Sequence, residues 1–376
     1  MLHQTVREYA QQQQQGGEGQ RRFVTYIVSY IHMHQREYAA LEQELPSIQE
    51  ALEMAYTLQM NQELLAGLLD GMPFFQARGL YSMAEHYLWF AWEAVSNQGD
   101  PKEQAIVSHN LASTLSKLGN YAQAKELAEQ GLVLTGSLDE KQVRSRLLQT
   151  LGDIADNEGD AARAEVYYQE GLQLARQTQD TFLVCSLSAS YGYKLLNRGQ
   201  LTQALRYFEE AMQFARQHHY LEELSFVLCR IGVLWEYQGN YAEAERYFYE
   251  GVQIAQQLGQ RLSAPLLLMT LLTGWGETQL FHSQFDAARQ HFQDMFALDA
   301  EKQNSSEMLA HAHYGLAQIA FHEKNMGKAR EHAVESVRLF KKVGHYKAQE
   351  VQAWVQTLPK ERTMLPEQEG MAHSGG

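Results

Sequence analysis

Apolar positions recur along most of this chain at the three-and-four spacing of an amphipathic helix, and nowhere with the alternation of a strand. From Arg21 to about Gln35, Phe23, Ile27, Tyr30, Ile31 and His34 fall near one face. Between Glu37 and Met60 the pattern resumes in a segment split by Pro46, with Ile48, Leu52, Ala55 and Tyr56 as the stripe of its second part. Ser47 stands where an N-cap is expected, and Glu50 three positions on would complete a capping box. The most apolar run, Leu262 to Trp275, is shorter than the roughly 20 residues a membrane span requires. It reads as a buried helix with Pro265 in its first turn.

A second, longer period lies over the helical one. The stretch GNYAEAERYFYEG, Gly239 to Gly251, has degraded copies at Gly79, Gly119, Gly159 and Gly199. Its anchor alanines Ala84, Ala124, Ala164, Ala204 and Ala244 are each forty positions apart, and Ala288 and Ala329 continue the series after slips of four residues and one. Fixed self-similarity on this scale marks a solenoid, in which each unit buries its apolar face against its neighbours. Each unit reads as two antiparallel helices. Glycine at the turn supplies the left-handed backbone that ends the first helix, and Asn or Asp caps the second. Small residues eight positions before the turn (Ala112, Gly152, Gly192, Gly232, Gly276 and Ala317) let the helices cross closely. Aromatics four beyond the anchor (Tyr168, Phe208, Phe248 and Phe292) fill the gaps between units. The units fall at 65–104, 105–144, 145–184, 185–224, 225–264, 269–308 and 310–349. A further helix, Tyr346 to Leu358, would face the last of them with Val351, Trp354 and Val355.

Composition narrows the function. The formal charge of −14 leaves no basic surface for nucleic acid. Two cysteines, Cys185 and Cys229, in apolar helical contexts read as buried free thiols of a reducing compartment. With no secretory signal and no span, the expectation is a soluble, cytoplasmic protein that binds neither nucleic acid nor membrane. Enzyme signatures are missing: there is no GxxxxGK[ST] phosphate loop, no GxSxG elbow and no HExxH helix. His218 and Glu222, like His219 and Glu223, are spaced i, i+4, while His311 and His313 are two apart and cannot share a helix face. With no third ligand in view, no metal is expected. Asp153, Asp156 and Glu158 read as a solvated helix face. No cofactor and no catalytic residue is assigned.

The repeat pattern, with Trp235 and Trp275-Gly276 at its aromatic positions, resembles the tetratricopeptide repeat, stretched from its usual 34 residues. The resemblance implies an all-α fold, a right-handed α-solenoid of about seven helix pairs preceded by N-terminal capping helices. Stretched units of this kind resemble those of kinesin light chains, spindle adaptors and bacterial regulatory ATPases. The N-terminal LHQTVREYA, with His3, Val6, Arg7, Glu8, Tyr9 and Ala10, is similar to the last winged-helix segment of STAND-type (NB-ARC-like) signalling ATPases. In that family a linker, a helix pair and a tetratricopeptide array follow in the same order. The organisation so implied is a short helix with a Gln/Gly-rich linker (1–20), capping helices (21–64), the solenoid (65–349), and a C-terminal capping helix with a disordered tail (350–376).

In tetratricopeptide folds the first helix of each unit lines a concave groove. By that resemblance the groove residues here are His109, Asn110, Arg146, Gln149, Asp153, Asn157, Tyr193, Asn197, Arg230, Tyr237, Glu277, Tyr314, Gln318 and His322. Asn and Gln can hold a peptide backbone, and Tyr and Arg are enriched at interaction hot spots. The carboxylate clamp of chaperone-binding relatives is not evident. The expectation is a non-enzymatic module that binds a protein or peptide in its groove, as the sensing part of a STAND-type regulator with an NTPase or effector partner. A constitutive scaffold and a Rap-like quorum-peptide receptor are the alternatives.

Overall fold

The computed structural model describes residues 17–98, 100–136, 140–258, 264–299, 306–343, 345 and 347–359. The proposed winged-helix remnant and the C-terminal tail lie outside them. Every regular element among the described residues is a helix. Three helices come first: α1 (Gly17–Met33), α2 (Tyr38–Gln43) and α3 (Leu45–Thr57). Seven helix pairs follow: α4 and α5 (Asn61–Ala77, Tyr81–Gln98), α6 and α7 (Pro101–Lys117, Tyr121–Gly136), α8 and α9 (Lys141–Asn157, Ala161–Gln177), and α10 and α11 (Thr181–Asn197, Leu201–His218). The last three are α12 and α13 (Leu221–Tyr237, Tyr241–Leu258), α14 and α15 (Ala264–Phe281, Phe285–Asp299), and α16 and α17 (Ser306–His322, Met326–Lys342). Helix α18 (Lys347–Thr357) comes last.

Each pair turns in the same way. The amide three residues past the first helix bonds back five positions, as Asn120 N–H to the Leu115 carbonyl (2.9 Å) and Asp160 N–H to the Ala155 carbonyl (2.8 Å). This is the Schellman geometry, which needs one left-handed residue. Gly79, Gly119, Gly159, Gly199 and Gly239 supply it at φ of 65° to 85°. In the last two pairs Ser283 (φ 60°) and Lys324 (φ 63°) take the same backbone, so the turn persists where the glycine has been lost. Asp160 and Asn325 then cap the second helix, accepting from the Arg163 and Lys328 amides.

The repeat positions do the packing their sizes foretold. All seven anchor alanines, Ala84 to Ala329, are fully buried, as are Tyr168, Phe208, Phe248 and Phe292. A Cβ at Gly192 would stand 2.8 Å from the Phe208 ring, and one at Gly276 2.8 Å from that of Phe292. A third repeat device was not foreseen. Ser145, Cys185 and Ser225, forty positions apart, donate to the carbonyls of Gly171, Ala211 and Gly251. Each ties the first helix of a pair to the second.

Some local readings need correction. Helix α1 begins at Gly17, four residues inside the segment taken as linker. Ser47 does not cap: α3 starts at Leu45 with Pro46 in its first turn, where a missing amide costs nothing, and Ser47 is buried within the helix. Helix pairs begin about four residues before the unit boundaries read from the sequence, since Asn61 rather than residue 65 opens the first.

The helices form two compact units. One comprises residues up to Leu234 with Glu250–Leu267; the other comprises Trp235–Tyr249 and the chain from Leu268 onward. In the first, a continuous core runs from Phe23 in α1 to Ile154 in α8. In the second, Val351, buried on α18, packs with Phe340 and Ala333 of α17, and Trp354 sits against Tyr314 and Phe321. No described helix is long and apolar enough to cross a membrane.

Candidate ligand-binding surfaces

In the first unit, the first helices of successive pairs place their polar residues side by side. Tyr193 on α10 meets Arg230 on α12, whose guanidinium lies 4.4 Å from that ring and 4.8 Å from Phe226. A guanidinium between two aromatic faces is held by charge–quadrupole attraction and by packing of its plane. Its Nε is buried without a hydrogen-bond partner. Gln149 on α8 donates to Ser190 on α10 at 3.0 Å. His109 on α6 lies within reach of the Arg146 charge; burial first, and that cation second, push its imidazole down to about 3, so it is neutral. His109 still keeps some accessible surface. Residues far apart in sequence also approach one another here. Glu222 and Glu223 on α12 act on the Tyr38 hydroxyl, and Arg36 acts on Glu223.

The second unit holds a cavity of ≈ 450 Å³ lined by Glu277, Leu280, Phe281, Ser283, Tyr314, Gln318, His322, Lys347 and Glu350. Two of its lining residues, Glu277 and Lys347, belong to a charge network. His311 Nδ1 lies 3.1 Å from Glu277 Oε1, and Lys347 Nζ lies 3.8 Å from the same oxygen. Burial raises the Glu277 pKa, but the His311 hydrogen bond and the nearby Lys347 outweigh it, and the carboxylate is held below its usual range. Glu236 behind it differs. Burial pushes its carboxyl up to about 7 although Thr278 Oγ1 donates to it at 2.6 Å, and Glu277 adds to the rise. His322 stacks on Phe285 with ring centroids 5.0 Å apart.

Of the fourteen groove residues read from the sequence, Glu277, Tyr314, Gln318 and His322 meet in this one cavity. His109 and Arg146 form a second grouping, and Tyr193 and Arg230 a third. Asn157, Asn197 and Tyr237 are exposed, Tyr237 by 70%. Asn110 turns back to the Ile106 carbonyl of its own helix. Asp153 accepts from the Tyr168 hydroxyl at 2.6 Å and lies 3.6 Å from Lys194. With Asp156, which pairs with Arg198 and Lys194, it therefore belongs to a half-buried ion network rather than to a solvated face. Of that trio only Glu158 is exposed. The i, i+4 spacing of His218 and His219 with Glu222 and Glu223 has no structural meaning either. Helix α11 ends at His218, and His219 takes a left-handed φ of 57° before α12 begins.

Sequence reasoning missed Lys347 and Glu350, because α18 was read only as a cap. Their i, i+3 spacing beside the apolar pair Ala348 and Val351 was the available signal. It also missed His345, from the turn before α18, which stacks on Phe340.

Tetratricopeptide-repeat family models match residues 107–136, 145–178 and 227–258. The helix pairs, their Schellman turns and their buried alanines supply the same architecture elsewhere in the chain. This is a tetratricopeptide-repeat protein. Among solved structures, the chain is similar to a STAND protein with a tetratricopeptide repeat sensor from Pyrococcus horikoshii (14% identity, TM-score 0.62). That likeness covers 91% of this chain but 49% of the other, so the tetratricopeptide-repeat chain spans about half of that ATPase. It is also similar to a Rap protein crystallised with Competence and Sporulation Factor (12% identity, TM-score 0.55, 89% and 97% of the two chains). The quorum sensor NprR from B. thuringiensis overlays to a like extent (12% identity, TM-score 0.52, 89% and 98%). At these identities the likeness is one of fold. No curated protein matches the sequence.

Proposed function

We propose that this tetratricopeptide-repeat protein is a recognition module, not an enzyme, and that it binds a peptide or a protein segment on its first-helix surfaces. The observation that carries the reading is the convergence of Glu277, Tyr314, Gln318 and His322 with Lys347 and Glu350 around one cavity. Its walls mix aromatic faces, an amide and charges of both signs, a set that can hold a peptide backbone and discriminate side chains. The Tyr193–Arg230–Phe226 stack is the second binding surface. Among functional contexts, the sensing part of a STAND-type regulator has the broadest structural overlap in its favour, with ligand capture biasing a two-state ATPase. A Rap-like peptide receptor is the second reading, favoured by the overlay on nearly the whole of the Rap and NprR chains.

Capture of partners from the native host tests the proposal. Tyr314→Ala with Lys347→Glu, and separately Arg146→Glu with Arg230→Glu, should each reduce recovery of a partner at least tenfold while helicity is unchanged. Undiminished recovery by both double variants would overturn binding at these surfaces. A phosphate loop encoded upstream in the same reading frame would favour the STAND context over the receptor.

A further inference from the structure

Glu307 and His311 stand one helical turn apart on α16, and His345 comes from the turn before α18. One carboxylate oxygen of Glu307 and one ring nitrogen of each histidine all lie within 4.8 Å of one another. We propose that these three side chains form a binding site for a divalent transition-metal ion of the Zn²⁺ class.

The donor set selects the metal. Two imidazoles and a carboxylate suit borderline ions such as Zn²⁺, whereas Ca²⁺ and Mg²⁺ take oxygen ligands. Tetrahedral ligands at about 2.1 Å from zinc stand about 3.4 Å from each other. Closing from 4.8 Å therefore needs shifts of about 1 Å, which Glu307, with half its side chain exposed, can supply. His345 Nε2 already lies 3.8 Å from Glu307 Oε1.

A supporting shell is in place. Glu277 accepts from His311 Nδ1 at 3.1 Å, and a carboxylate there fixes the ring and leaves Nε2 with the free lone pair. Phe340 packs on both rings, edge-on to His311 and stacked with His345. His345 Nδ1 accepts the Lys347 amide at 3.2 Å. A metal on Nε2 leaves Nδ1 protonated, so that long bond gives way, and the amide is one of the first-turn N–H groups that lack intrahelical partners in any case. Three protein ligands leave a fourth position for water or for a donor from a bound partner. Because Glu277 and Lys347 also line the cavity, metal loading would alter the charge of that surface.

Titration of the tag-free, chelator-stripped full chain with Zn²⁺ by calorimetry, and with Co²⁺ by visible absorption, tests the site. The expected result is one ion per chain and the intense bands of a four-coordinate Co²⁺ site. His311→Ala should weaken binding at least ~100-fold, and Glu277→Gln ~10- to 100-fold as an orienting partner. Should His311→Ala fail to fold, Glu307→Gln, an exposed side chain, is expected to retain the fold and weaken binding at least ~10-fold. Absence of saturable binding, or an affinity equal to the parent's in Glu307→Gln, overturns the proposal.

Discussion

The two compact units are built from one repeat yet present different chemistries. In the first, α6, α8, α10 and α12 display two arginines, Arg230 against the rings of Tyr193 and Phe226 and Arg146 near the neutral His109. In the second, α14, α16 and α18 display carboxylates, histidines and a single lysine. The scaffold positions are equivalent; the side chains on them are not. A solenoid separates these roles because packing uses the small and aromatic positions of each helix and leaves the polar stripe free to vary. The net charge of the chain thus says little about how charged side chains are distributed between the two units.

The largest difference to test is in tolerance of added volume. A Cβ at Gly315, in the second unit, would lie 2.2 Å from Phe292, against 2.8 Å between Gly192 and Phe208 in the first. Both rings are fully buried and cannot swing aside. Gly315→Ala should destabilise by about 3 kcal/mol, and Gly192→Ala by about half as much, once the helix gain from alanine is included. Chemical denaturation checks the order, and equal losses would erase the distinction.

Acidity should act with opposite signs at one buried group in each unit. His109 has its pKa depressed to about 3, so its contribution is full above its ordinary value near 6.5 and is lost as pH falls toward 3. At pH 5 the His109→Gln variant should therefore have lost about 2 kcal/mol less than the parent, relative to pH 8. Glu236, raised to about 7, behaves conversely: its stability is present below pH 4.5 and is lost as pH rises through 7. Glu236→Gln should be the more stable form at pH 8, by about 2 kcal/mol after allowing for solvent at a half-buried side chain, and no different at pH 4. Melting curves at pH 4, 5 and 8 read both.

Smaller effects refine the picture. Arg230→Lys keeps the charge but loses the planar stack between Tyr193 and Phe226, and should cost about 1 kcal/mol. Lys324→Gly should stabilise the last pair by about 0.5 kcal/mol, because the left-handed strain relieved exceeds the chain entropy that glycine adds. Hydrogen exchange at the Asn325 amide, which closes that turn, would report the gain.

Much of the fold was legible because its signals are local and repeated. A glycine, an alanine and an aromatic at fixed offsets fix a turn, a crossing and a plug, and every copy adds weight. The turns at Ser283 and Lys324 were harder to see, since only the neighbouring alanines reveal that they keep the backbone of the glycine copies. Surfaces were legible only in part. Glu277, Tyr314, Gln318 and His322 could be assigned by register, but Lys347 and Glu350 come from a helix outside the repeat. Asp153 has the right register and is nonetheless occupied by Tyr168. Register tells where a side chain starts; its partners, which arrive from other turns of the array, decide whether it remains available.

The Ser145, Cys185, Ser225 row has a practical consequence. At one of its three steps the hydroxyl is replaced by a thiol that burial pushes up to about 12, so this sulfur is unreactive while the helices are closed. Both cysteines of the chain, Cys185 and Cys229, lie in the first unit, and both are buried. An alkylating reagent can therefore label this protein only through openings of that unit, at a rate set by how often they occur. The chain carries its own gauge of local breathing in one half, and silence in the other.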